Sequence, residues 1–216
     1  MKKFSLAPFL LLSSIHLISI ITNQESLRIL TKPLLLPALF LFYVVQNPKP
    51  DRGVLIALLF SFLGDVFLLG EGALFFLIGL GNFLVTQLLY TLKMGERIIK
   101  RRGTLIWASI PFLIYAAMLF YWVVPRLKLL APAVVIYAIV ISSFGVMCVT
   151  YWMQKRRNRF LILTGALLFI VSDSMIALNQ FYFDFNFFGP WVMGTYLLAQ
   201  YCITSFFKQE ALVLNK

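Results

Sequence analysis

Charged side chains are scarce in this sequence. Only 12% of its 216 residues are charged and 61% are hydrophobic, whereas a soluble domain carries about 25% charged and roughly 45–50% apolar residues. Apolar runs recur along the whole length, which excludes a large soluble domain. The composition therefore predicts an all-α, polytopic membrane protein, with residues 1–216 forming a single transmembrane helical domain.

The residues that usually build hydrolytic and metal centres are also few. The only histidine is His16, and the sequence has no HExxH, GxSxG or Cys/His cluster. The residue motifs on which zinc and serine hydrolases usually depend are therefore missing. The two cysteines, Cys148 and Cys202, fall in apolar segments, where we expect buried free thiols rather than a disulfide. The sequence predicts no metal ion and no cofactor.

Apolar runs approaching the length needed to cross a membrane, about 20 residues, occur eight times. The first follows Lys2 and Lys3 and looks like a signal peptide, but no small-x-small cleavage site comes after it, so we interpret it as a retained helix. The eight predicted spans are residues 4–22, 30–46, 53–70, 72–92, 104–124, 131–153, 160–180 and 188–207.

Basic residues cluster in the connectors between these runs and account for the net charge of +11. If the N-terminus is cytoplasmic, eight spans place all but four of the 19 Lys and Arg residues on the cytoplasmic side; the exceptions are Arg28, Lys32, Arg126 and Lys128. Because short cytoplasmic loops are enriched in Lys and Arg, this predicts a multi-pass protein of the inner (cytoplasmic) membrane with both termini inside. The charge then serves topology and contact with anionic lipids, not nucleic acid.

Two aspartates lie deep inside apolar runs, Asp65 in residues 55–69 and Asp173 in residues 160–178. A carboxylate at bilayer depth costs about 2.5–3.5 kcal/mol on insertion scales, so such a residue usually faces the bundle interior and marks a function. At about 1.5 Å per helical residue, both carboxyls lie about 20 Å from the cytoplasmic ends of their spans. The alternatives are a helix-packing hydrogen bond or a charge pair, for which Lys32 is the nearest cation.

Further polar residues fall at membrane depth. Ser61 precedes Asp65 by one helical turn, and the fourth and eighth spans carry Asn82, Gln87, Tyr196 and Gln200. Each by itself is typical of a helix–helix hydrogen bond. Together with the aspartates, they predict a polar cavity inside the bundle.

Four motifs resemble the YhhN family of membrane proteins, whose characterised members are lysoplasmalogenases with eight spans. The motifs are Thr31-Lys32-Pro33, Ser61-x-x-Gly64-Asp65, Gly165-Ala-Leu-Leu-Phe-x-x-Ser172-Asp173 and Thr195-Tyr196-x-x-Ala199-Gln200. One departure lies in the fourth span, where the resemblance leads us to expect His-x-x-Tyr and the chain has Gln87-Leu-Leu-Tyr90. A proton-transferring role at Gln87 is therefore not carried over.

The resemblance implies hydrolysis of the vinyl ether of a lysoplasmalogen to a fatty aldehyde and a glycerophospho-ethanolamine or -choline. Asp65 and Asp173 would be the catalytic pair, because two carboxyls in one low-dielectric cavity favour one protonated acid beside one anion. The substrate would be a lysophospholipid that enters from the surrounding membrane lipids. The residues expected to bind it are Lys32, Ser61, Asn82, Gln87, Tyr90, Ser172, Asn179, Tyr196 and Gln200.

Two other functions fit the same residues. Paired membrane carboxylates also serve as proton relays in carriers, and the tetrapeptide Ala-Leu-Leu-Phe precedes both aspartates, at 57–60 and 166–169, as a weak sign of two parallel halves. A small proton-coupled transporter is therefore the main alternative, and a structural membrane protein is a third. A carrier would open to alternate aqueous sides, whereas a lipid hydrolase would open sideways to the bilayer beside the carboxyls.

Overall fold

Eight α-helices follow one another in the computed structural model, which describes residues 6–123, 125, 130–181 and 188–214. The helices are α1 (Ala7–Ile21), α2 (Glu25–Gln46), α3 (Arg52–Phe67), α4 (Ala73–Gly95), α5 (Arg102–Val123), α6 (Ala131–Met153), α7 (Arg159–Phe181) and α8 (Phe188–Leu214). The all-helical prediction is confirmed for these residues. Five of the predicted basic residues lie outside the described residues, namely Lys2, Lys3, Arg126, Lys128 and Lys216, as does Val124, the predicted end of the fifth span.

The helices coincide with the predicted apolar runs, and they differ from them mainly at two polar ends. Helix α2 begins at Glu25 rather than at residue 30, and α8 continues to Leu214 rather than ending at residue 207. Hydropathy marks only the apolar part of a helix, whereas residues such as Glu, Lys and Gln continue a helix readily. The two helices therefore extend beyond their apolar segments.

Within the described residues, five helices are long and apolar enough to cross a membrane, and α1 is a shorter apolar helix; the five are Glu25–Gln46, Ala73–Gly95, Arg102–Trp122, Ala131–Met153 and Arg159–Asn179. The chain is thus a multi-pass membrane protein. Helices α1 and α3 have 15 and 16 residues, fewer than the roughly 17–25 of a usual span. The number of eight spans and the orientation of the termini stay predictions.

The helix pairs with the most extensive contact are α3 with α4 and α7 with α8, and α6 packs against α4, α5 and α7. The α7–α8 pair approaches closely at Gly165, where an added Cβ would lie 2.8 Å from Ile203 Cγ1 and 3.2 Å from Ile203 N. Gly64 on α3 lies at the contact with α4, where its carbonyl oxygen is 3.4 Å from the position of a Cβ at Gly79. The ring of Phe83 covers Gly64, at 2.8 Å from the position of a Cβ.

One end of the bundle is held by ion pairs. Asp51 precedes α3, and its carboxylate accepts a hydrogen bond from the Gly53 amide at 2.8 Å. The same carboxylate lies 3.3 Å from Lys93 Nζ and 3.5 Å from an Arg97 guanidinium nitrogen. An acidic cap at a helix N-terminus is favourable, so Asp51 ties α3 to the end of α4.

Candidate active site

A cavity of about 420 Å³ lies at the opposite end of the bundle, where α1, α3 and α7 end and α2, α4 and α8 begin. Its wall is divided into a polar and an apolar part. The polar lining is His16, Arg28, Lys32, Asp65, Glu71, Ser172, Asp173, Asn179 and Tyr196. The larger apolar side chains are Ile20, Leu68, Leu69, Phe76, Phe83, Ile176, Phe188, Val192 and Met193.

Both intramembrane carboxyls line this cavity. Asp65 on α3 is only 3% exposed, and it accepts a hydrogen bond from the Tyr196 hydroxyl of α8 at 2.9 Å. Asp173 on α7 accepts a hydrogen bond from the Tyr137 hydroxyl of α6. The two carboxyls are close enough to interact electrostatically. Each therefore has one neutral hydroxyl donor from a neighbouring helix and faces the same space as the other.

Helix α2 contributes positive charge to the cavity wall. Lys32 lines the cavity and interacts electrostatically with Asp65. Arg28, one turn earlier on the same helix, also lines the cavity, and it pairs with Glu25 at 3.2 Å. Lys32 was a predicted site residue, but Arg28 was not, because the sequence suggested only a role in topology for it.

The apolar wall continues into a smaller space of about 40 Å³ between α4, α6 and α7. Its lining is Leu68, Phe76, Leu80, Phe83, Val134, Tyr137, Asp173, Ile176 and Ala177. Beside it, the Tyr196 ring makes edge-to-face contacts with Phe83 and Phe169, at centroid distances of 5.8 and 5.6 Å. Asp173 is therefore shared between the polar cavity and an apolar extension.

Five of the predicted site residues do not line the cavity. Three of them form a buried chain of hydrogen bonds: the Tyr90 hydroxyl donates to Gln200 Oε1 at 3.0 Å, and Gln200 Nε2 donates to Ser61 Oγ at 2.9 Å. Asn82 Nδ2 donates to the carbonyl of Ile78 on its own helix at 2.8 Å. The fifth, Gln87, is fully buried.

The remaining predicted residues do line it: Lys32, Asp65, Ser172, Asp173, Asn179 and Tyr196. The hydrogen-bond chain reaches this group through Tyr196, whose hydroxyl lies 3.4 Å from Gln200 Nε2. Ser61 and Gln200 are thus one step behind the residues that face the cavity. Besides Arg28, the polar side chains of His16 and Glu71 line the cavity without a site assignment from the sequence. Tyr137, the partner of Asp173 in the apolar extension, also had none. A lone histidine and a tyrosine in apolar helices are most often core residues.

Neither cysteine has a disulfide partner, in agreement with the prediction for Cys148 and Cys202. Within the part of the chain that the structure describes, no group of three or more His, Cys, Asp or Glu side chains is arranged to hold a metal ion.

Residues 27–206 match the model of the YhhN family. The chain belongs to the YhhN family. The resemblance inferred from the four motifs is thereby confirmed, and the matched region includes both aspartates, Lys32 and Tyr196. Helix α1, which carries His16, precedes it.

Two curated relatives of this YhhN protein are lysoplasmalogenases. It is 31% identical over 171 residues to the lysoplasmalogenase TMEM86A of Bos taurus, an alignment that covers 74% of this chain and 67% of the relative. It is 29% identical over 163 residues to the lysoplasmalogenase TMEM86A of Homo sapiens, with coverage of 73% and 65%. The chain thus spans about two thirds of the length of these relatives. No solved structure matches it significantly.

Proposed function

We propose that this chain is a membrane hydrolase that cleaves the vinyl ether bond of lysoplasmalogens. The products would be a fatty aldehyde and a glycerophospho-ethanolamine or -choline. The observation that carries the proposal is the meeting of Asp65 and Asp173 in one cavity that also has a cationic wall and an apolar extension. The similarity to two lysoplasmalogenases supports the same reaction class.

The surroundings of the two carboxyls differ, and this difference assigns their roles. Asp65 lies within electrostatic range of the Lys32 ammonium, and a nearby positive charge stabilises a carboxylate as the anion. Asp173 has the neutral Tyr137 hydroxyl as its partner and borders the apolar extension. We therefore assign the reactive proton to Asp173 and the negative charge to Asp65.

With these roles, the hydrolysis needs no reactant other than water. Asp173 protonates the β-carbon of the vinyl ether, which leaves an oxocarbenium cation beside the Asp65 anion. Water adds to the cationic carbon and gives a proton to Asp65, forming a hemiacetal. The hemiacetal hydroxyl returns a proton to Asp173 while Asp65 protonates the departing glycerol oxygen. The carbon–oxygen bond to glycerol breaks, the aldehyde forms, and both carboxyls regain their starting states.

The shape of the cavity supports one orientation of the substrate. The phosphate would lie at α2, where Arg28 and Lys32 line the wall. The first carbons of the alkenyl chain would enter the small apolar extension between α4, α6 and α7, beside Asp173. Phe83 and Tyr196, which make an edge-to-face contact, line the cavity together with Asp65. Aromatic rings beside a carboxylate would lower the local dielectric and strengthen charge stabilisation.

We also propose that all eight helices cross the inner (cytoplasmic) membrane with both termini inside. The ion-paired end with Asp51, Lys93 and Arg97 would then face the cytoplasm, and the cavity would lie toward the opposite side. This orientation is supported by the concentration of basic residues in the predicted cytoplasmic connectors.

The direct experiment is release of fatty aldehyde from a lysoplasmalogen by the purified protein in detergent. We expect Asp173→Asn and Asp65→Asn each to lower the rate by about a hundredfold or more, the usual contribution of a positioned acid or base. Asp51→Asn is the matched control, since Asp51 lies at the other end of the bundle. It should leave the rate unchanged.

The outcomes separate the alternatives. Full activity in both folded Asp→Asn variants would refute the carboxyl mechanism, and no cleavage of any vinyl-ether lipid by the wild type would refute the substrate assignment. Proton movement into liposomes by a wild-type protein that releases no aldehyde would favour the carrier. A loss of folding alone in both variants would favour a structural role.

A further inference from the structure

The single histidine occupies an unexpected place. His16 lies on α1, is fully buried and lines the cavity that holds Asp65 and Asp173. Its Nε2 is buried and has no hydrogen-bond partner among the described residues. Buried polar atoms in folded proteins almost always have a partner. An unpaired ring nitrogen on a residue that lines a cavity therefore lacks a partner that a bound molecule can supply.

The hydrogen bonds on the other side of the ring determine which group that is. His16 Nδ1 lies 2.7 Å from the Thr31 hydroxyl oxygen, and the same hydroxyl lies 2.7 Å from the carbonyl oxygen of Leu27. A hydroxyl has one hydrogen, and the carbonyl can only accept, so Thr31 donates to Leu27 and must accept from His16. Nδ1 therefore carries the proton, and in the neutral ring Nε2 is an acceptor.

The position of His16 relates it to a particular part of the substrate. Its partner Thr31 is adjacent in sequence to Lys32, which interacts with Asp65. His16, Lys32 and Asp65 line the same cavity, so an acceptor on His16 is available to the glycerol part of a lipid whose phosphate binds at α2. In a lysophospholipid, the 2-hydroxyl of glycerol is on the carbon between the ether-bearing carbon and the phosphate-bearing carbon.

We propose that His16 Nε2 accepts a hydrogen bond from the glycerol 2-hydroxyl of the bound lysophospholipid. This inference rests on the proposed function and adds a residue that determines specificity. A phospholipid with an acyl group at that position has no hydroxyl to donate, and its ester would leave Nε2 buried and unpaired. His16 thus selects lyso lipids over their doubly substituted counterparts, since sites built to bond a hydroxyl discriminate against analogues that lack it.

The test is a binding measurement that does not depend on catalysis. The two ligands are a saturated 1-O-alkyl lysophosphatidylethanolamine, which has no vinyl ether to cleave, and its 2-deoxy analogue, which lacks only the hydroxyl. We expect the wild type in detergent to bind the hydroxyl ligand about fivefold more tightly than the deoxy ligand, as one hydrogen bond provides.

Three variants separate a contact to the hydroxyl from a packing role. His16→Asn places an amide near the position of Nδ1 but leaves no acceptor at the position of Nε2. This variant should therefore bind the hydroxyl ligand and the deoxy ligand about equally. His16→Gln places an amide oxygen near the position of Nε2 and should retain most of the preference. Ser13→Ala, one turn earlier on α1 at a buried serine outside the cavity lining, should behave as the wild type.

The inference is overturned if the wild type binds both ligands equally or binds neither, or if His16→Asn weakens both ligands by the same factor. Aldehyde release is measured separately, so that failure of the His16 contact can be distinguished from failure of the proposed function. Hydroxyl preference without aldehyde release would refute the hydrolase while the His16 contact stands. Aldehyde release with equal binding of the two ligands would refute the His16 contact while the hydrolase stands.

Discussion

The two ends of α3 each carry an aspartate, and their surroundings differ in every respect. Asp51 caps the N-terminus, accepts from the Gly53 amide and lies within 3.5 Å of both Lys93 and Arg97. Asp65 lies near the C-terminus, where the helix dipole disfavours a negative charge. It has a hydroxyl donor, Tyr196, and a more distant ammonium.

This contrast separates a carboxylate used for stability from one kept for chemistry. The groups around Asp51 neutralise its charge and occupy its oxygens, so little remains for a ligand. Asp65 is buried at an unfavourable helix end with fewer compensating contacts, and it opens on a cavity. Such an arrangement costs folding energy and persists where a functional need offsets it.

The largest expected effect is that of Asp65→Asn. We expect a rate of aldehyde release at least about a hundredfold lower, together with a thermal unfolding midpoint that is equal to or higher than that of the wild type, because the change removes a buried negative charge near a helix C-terminus. Activity assays and thermal unfolding of the same preparation measure both. A large fall in the midpoint would place Asp65 with Asp51 as a structural residue.

A second prediction concerns the lysines at the two ends of the bundle. Lys32→Gln should weaken binding of a 1-O-alkyl lysophosphatidylethanolamine about tenfold or more, the usual loss for a hydrogen bond between charged groups. Lys93→Gln, at the ion-paired end, is the matched control and should leave this affinity unchanged. Equal weakening by both changes would point to a general effect of charge and not to a phosphate contact in the cavity.

A third prediction concerns the buried chain behind the cavity. Gln200→Leu leaves the Tyr90 hydroxyl without its acceptor and Ser61 without its donor, so we expect the free energy of unfolding to fall by about 1–2 kcal/mol. Denaturation in mixed micelles with SDS measures it. Gln154→Leu, which loses exposed bonds to the backbone of Ile99, should cost less. If the two changes cost the same, the buried chain contributes no more to stability than the exposed bonds of Gln154.

The smallest expected effect is that of Asp51→Ala. Loss of the cap should lower the free energy of unfolding by about 1 kcal/mol, with a minor addition from the partly exposed ion pairs. Aldehyde release per folded molecule should stay the same, because the cavity lies at the opposite end of α3. A loss of activity without a loss of stability would mean that the two ends of the helix are coupled.

Much of the helical plan could be predicted from the sequence, because the apolar runs and the polar connectors are local features. The same reasoning identified Asp65 and Asp173, since a carboxyl in an apolar run is costly wherever the chain places it. It grouped Ser61, Tyr90 and Gln200 with the aspartates at the cavity, whereas the structure places them in a buried hydrogen-bond chain behind it, joined to the cavity through Tyr196. Depth along a helix was available from the sequence, but the direction in which each side chain faces its neighbours was not.

The sequence by itself therefore determined that this is a multi-pass helical membrane protein of the YhhN family with two costly intramembrane aspartates. Only the tertiary structure decided what surrounds them: Tyr196 at Asp65, Tyr137 at Asp173, and an imidazole oriented by Thr31 at the same cavity. The physical reason is the range of the interactions. Hydropathy and charge act along one helix, whereas hydrogen bonds at the cavity join helices whose neighbours are set by packing of the whole bundle.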